Sequence, residues 1–101
     1  MRRLLLLLLV ALAAACIGPP AEDATGAEIF GQLCASCHAS DLSGNIGPAL
    51  GPGSNAVDLS DGVITATIGR GRGSRMPAFS RTLSDAQIER LVGFIRESQS
   101  G

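Results

Sequence analysis

The segment Cys34-Ala-Ser-Cys37-His38 gathers two of the chain's three cysteines and its single histidine into five residues. A Cys-x-x-Cys step serves as a redox disulfide, as half of a zinc site or, when histidine follows, as an attachment point for haem. The redox use calls for a strand–helix–strand setting, and no stretch of this chain shows a convincing period-two alternation. The zinc use calls for a second ligand pair downstream, and none exists. The haem use fits the spacing. Two thiols three positions apart at a helix end can add to the two vinyl groups on one edge of haem, which holds the next residue beneath the iron. His38 then offers Nε2 to iron and Nδ1–H to a backbone carbonyl that fixes the ring.

A chain of 101 residues forms one small domain, and part of it is expected to be removed. Residues 1–15 read as a secretory signal peptide: Arg2 and Arg3, a leucine-rich run, then small residues before Cys16. The apolar stretch Leu4 to Ile17 spans 14 residues, short of the roughly 20 needed to cross a bilayer. Loss of Arg2 and Arg3 leaves six Arg against nine acidic residues, a formal charge of −3 with no lysine, which argues against nucleic-acid binding. The domain contains neither Trp nor Tyr, and a chain this short builds only a thin core. With one disulfide at most available, a bound cofactor is the expected filling.

Residues 16–24 carry two prolines, two acids and no periodicity, the pattern of a flexible tether. Thr25-Gly-Ala-Glu28 matches a capping box and predicts a helix from about Gly26 to Cys34. From Ala39 to Asn55, glycine, serine, proline and asparagine predict an irregular loop. Ser60 opens a short helix bearing Val63, Ile64 and Ile68, with a stop at Gly69. Ser84-Asp-Ala-Gln87 repeats the capping logic, and Ile88, Leu91, Val92 and Ile95 fall on one helical face.

The sixth position of a haem iron needs a second ligand or stays open. Met76 is the only methionine beyond Met1, in an Arg-Met-Pro-Ala-Phe segment after a glycine-rich loop, where Pro77 fixes the backbone and no helix hides the sulfur. A lone methionine is ordinarily a core filler. Beside a haem motif, with no other histidine to compete, it becomes the candidate ligand, and a soft thioether favours the ferrous state. Arg70, Arg72, Arg75 and Arg81 surround it. Three readings of these arginines stand: a salt link to the haem propionates, led by Arg70 or Arg72, a positive rim that steers an acidic partner, and a solvated loop.

The combination of "CASCH", "GPAL" at Gly47 to Leu50, "MPAF" at Met76 to Phe79 and the terminal "LVGFI" helix resembles the small bacterial class I cytochromes c over nearly all of residues 25–101. The resemblance implies an all-α fold of three to four helices around one covalent haem c. It implies attachment through Cys34 and Cys37, iron ligation by His38 and Met76, a Pro48 carbonyl that accepts from His38, and haem packing by Leu50 and Phe79. Gly26 and Phe30 resemble the family's contact with the terminal helix at Leu91 and Phe94. The absence of lysine and the short loops depart from the long mitochondrial type.

Cys16 follows small residues and fits acylation at a bacterial lipoprotein site, although Ala13 stands where leucine is usual. An unpaired thiol in an oxidising compartment also needs an explanation. The expected protein is therefore a periplasmic one-electron carrier, membrane-tethered through lipidated Cys16 or else soluble, that docks briefly with redox protein donors and acceptors. It is an electron-transfer protein and not an enzyme, alone or as the haem subunit of a larger oxidoreductase. The alternative is an open-site peroxidase-like or gas-sensing haem protein in which Met76 does not ligate iron.

Overall fold

In the computed structural model, residues 18–101 are described; the expected signal peptide and Cys16 lie outside them. Among the described residues there are four helices and no strand: α1 Gly26–Leu33, α2 Ala35–His38, α3 Asp61–Arg70 and α4 Asp85–Ser100, with a 3₁₀ turn over Asn55–Asp58 before α3. This is the all-α architecture expected.

Both capping boxes form. The Glu28 N–H donates to the Thr25 hydroxyl at 3.1 Å and the Thr25 N–H to the Glu28 carboxylate at 3.3 Å. At α4 the Gln87 N–H donates to the Ser84 hydroxyl and the Ser84 N–H to the Gln87 side chain. These reciprocal bonds satisfy donors that a helix start leaves open. Helix α3 is capped by Ser60 as expected but runs past Gly69 to Arg70. Gly69 is tolerated inside the helix, whereas Gly71, at φ 77°, takes the conformation that ends it.

The core lies where α1 and α3 pack on α4 and includes Ile29, Phe30, Ile64, Ile68, Leu91, Val92 and Ile95. The α1–α4 crossing is close because Gly26 has no side chain. A Cβ there would stand 2.8 Å from the Phe94 Cβ and would overlap the Arg90 carbonyl. One turn along, the Phe30 and Phe94 rings meet at 5.3 Å with a 48° tilt, a favourable aromatic spacing.

The expectation of a loose tether through Ala24 is corrected. Ala24 is buried, and residues 18–24 are held by side chains of α1 and α4. Gln32 donates to the Gly18 carbonyl, Gln87 to that of Ala21, and Arg90 to those of Glu22 and Ala24, while the Ser84 hydroxyl donates to the Glu22 carboxylate. Two prolines keep this segment from helical pairing but leave its carbonyls available to distant donors.

Candidate haem site

Helix α1 ends at Leu33, and the Cys34 N–H still donates to the Phe30 carbonyl. The chain then makes one more turn, α2, in which the Cys37 and His38 N–H groups both return to the Cys34 carbonyl, at 3.2 and 3.0 Å. That turn sets the two sulfurs three residues apart on one wall of a cavity. They are not joined in a disulfide. Burial, with Cys37 beside it, pushes the Cys34 thiol up to about 11. A thiol so protonated is a poor redox nucleophile, and among the described residues no cluster of His, Cys, Asp and Glu is arranged to hold a metal ion. Neither competing use of the Cys-x-x-Cys step finds support.

His38 is buried, and its Nδ1 lies 2.8 Å from the Pro48 carbonyl oxygen. A carbonyl only accepts, so Nδ1 carries the proton and the Nε2 lone pair is left available to a metal. The loop that presents Pro48 folds back on α2. The Gly44 N–H donates to the His38 carbonyl and the Gly47 N–H to that of Cys37. Gly47 lies against the imidazole, where a Cβ would stand 2.8 Å from Cε1 and 2.9 Å from Nδ1. Sequence reading took Gly47 only as the start of the "GPAL" match; its position directly before Pro48 was the available signal.

Cys34, Cys37, His38, Pro48, Leu50, Met76 and Phe79 all line one cavity of about 1050 Å³, walled by aliphatic side chains including Leu33, Ile64, Ile68 and Ile95. Its size stands at the top of the ~300–1,000 Å³ range for pockets that enclose a small molecule. The donor set is one imidazole and one thioether with two thiols at the edge, and it fits haem c. Arg72 and Arg75 also line the cavity, whereas Arg70 and Arg81 do not. Arg75 was read from sequence only as part of the basic cluster, and its place on the cavity depends on a loop fold that spacing does not reveal. A second cleft of about 480 Å³ between α3 and α4, near Asp61 and Glu89, shares none of these residues.

Residues 21–95 match the family described as cytochrome C oxidase, cbb3-type, subunit III. The chain belongs to this cytochrome c family. With that membership comes covalently bound haem c. The cbb3-type cytochrome c oxidase subunit CcoP of Rhodobacter capsulatus is 32% identical, over 83% of this chain and 33% of its own length. This chain therefore spans about a third of the length of that relative. Cytochrome c6 of Leptolyngbya boryana is 38% identical over 74% of this chain and 91% of its own. Among solved structures, a c-type cytochrome NirC superposes with a TM-score of 0.62 at 32% identity, covering 71% of this chain and 85% of that one. The family's matched region begins at residue 21, inside the segment that Gln87 and Arg90 pin to α4.

Proposed function

We propose that this chain is a one-electron carrier with a single haem c, whose iron would be held by both His38 and Met76. When bound, haem c supplies an iron that cycles between Fe(II) and Fe(III). Cys34 and Cys37 hold it covalently, and the Pro48 carbonyl orients the His38 ring so that Nε2 faces the metal. Leu50 and Phe79 exclude water, and Arg72, which borders the cavity where Arg70 does not, pairs with a propionate.

The observation that carries this reading is that His38 and Met76 line the same apolar cavity as both cysteines. Among the described residues, no carboxylate and no second histidine lines it, so none of them supplies a carboxylate or imidazole for peroxide chemistry once His38 is engaged. A ligand set that stays constant between oxidation states suits an electron carrier and not a catalyst. The relatives named as oxidase subunits support a carrier that works with redox protein donors and acceptors, alone or as the haem subunit of a larger oxidoreductase.

Covalent attachment has a direct test. Protein matured on the export side should keep its haem through denaturation and acid–acetone extraction, and haem lost to the solvent would contradict the assignment.

The reading also includes export directed by residues 1–15, to the outer side of a bacterial membrane, and acylation of Cys16. Gly18, two residues later, is already tied to Gln32, so a lipid on Cys16 would keep the haem domain against the membrane surface. Cys16→Ser should release the protein from the detergent phase or block its processing. A mature protein with an unmodified Cys16 would contradict acylation.

A further inference from the structure

Met76 lies in the connection between α3 and α4, and backbone hydrogen bonds tie that connection to the end of α3. The Gly71 N–H donates to the Thr67 carbonyl at 2.8 Å. The Arg72 N–H donates to the Met76 carbonyl at 3.1 Å and the Met76 N–H to the Arg72 carbonyl at 3.2 Å, an isolated antiparallel bridge. Beyond Met76, the Phe79 and Ser80 N–H groups donate to Ile68 and Gly69 of α3. The methionine is thus held between two anchored points, and its own backbone is paired with the residue that follows Gly71.

Gly71 permits this closure for two reasons. Its φ of 77° and ψ of 178° fall in a region that is essentially glycine-only. A Cβ on Gly71 would also stand 2.6 Å from the Met76 carbonyl oxygen and 2.9 Å from the Ala78 nitrogen and the Pro77 carbonyl carbon. All three are backbone atoms, so no side-chain rotation relieves the overlap, and the loop itself must move. Gly53 provides a contrast: its φ is 74°, yet a Cβ there meets nothing within 4 Å.

We propose that Gly71 is the positioning residue for Met76, and that its missing side chain lets the Arg72–Met76 bridge seat the loop and holds the sulfur over the haem cavity. The inference rests on Met76 being the iron ligand, and the test separates the two claims.

Ferrous haem-loaded wild type, Gly71→Ala, Gly53→Ala and Met76→Ala are compared by CO binding rate and optical spectrum. Gly71→Ala should bind CO at least about tenfold faster than wild type and shift toward the Met76→Ala spectrum. Gly53→Ala, which carries a similar positive φ without the overlap, should keep the wild-type spectrum even if its melting temperature falls. Wild-type ligation in Gly71→Ala, with Met76→Ala altered, would overturn the positioning role alone. A Met76→Ala protein identical to wild type would overturn the ligand reading and the positioning role with it. Should Gly71→Ala fail to accumulate, amide exchange in wild type decides. Arg72 and Met76 should exchange at least about tenfold more slowly than Ser74, and equal rates would overturn the proposal.

Discussion

Ala39 follows the proposed iron ligand directly and has φ 66° and ψ 148°, a conformation that L-residues rarely take. Leu42, at φ 63°, is a second such position within four residues of His38. Strain of this kind costs about 1–3 kcal/mol and persists where surrounding bonds fix the backbone. Here the Gly44, Gly47 and Leu50 N–H groups pin the loop to His38, Cys37 and Leu42. Ala39→Gly should therefore stabilise the haem-loaded protein by about 1 kcal/mol, the relieved strain outweighing the extra chain entropy of glycine, with an unchanged spectrum. A thermal melt checks this, and a drop in melting temperature would contradict the strain. At this scale "CASCH" and Met76 stand out as candidates by residue type and spacing, and the fold brings them to one cavity. The positive φ of Ala39 is not announced by an alanine, and the placement of Arg72 but not Arg70 on the cavity depends on how the loop after Gly71 turns.

The helices were legible wherever their signals are local. Thr25–Glu28 and Ser84–Gln87 mark two starts within four residues each, and both boxes form. The apolar stripe of α4 faces the core because Ile88, Leu91, Val92 and Ile95 recur at helical spacing. The end of α3 was read two residues early because glycine can sit within a helix as well as end one. Residues 18–24 were misread for a different reason: what holds them lies 14 to 68 positions away. Pro, Glu and Asp look solvated locally, and only the fold brings Arg90 and Gln87 to their carbonyls. Arg90→Ala removes the donors to the Glu22 and Ala24 carbonyls. Each such bond contributes about 0.5–1.5 kcal/mol. Amide exchange and limited proteolysis should then speed up selectively at residues 20–25, with the haem spectrum unchanged. Uniform loosening of the whole domain would contradict a local strap.

For the whole molecule, a thin core of aliphatic residues with three phenylalanines encloses a cavity larger than such a core would leave by accident. It is the seat proposed for haem c, and the carrier role proposed for the chain requires closure of the iron by both His38 and Met76. That closure depends most on Met76, since His38 is fixed by the attachment motif itself. The measurement that tests it is the midpoint potential of Met76→Ala against wild type, with CO binding recorded on the same samples. A thioether favours ferrous over ferric haem, so the variant should fall in potential, by roughly 59 mV for each tenfold loss of relative ferrous preference. It should also bind CO readily where the wild type binds it poorly. An unchanged potential and spectrum in Met76→Ala, or a wild type that already takes up CO rapidly and completely, would contradict the account and leave an open iron site in its place.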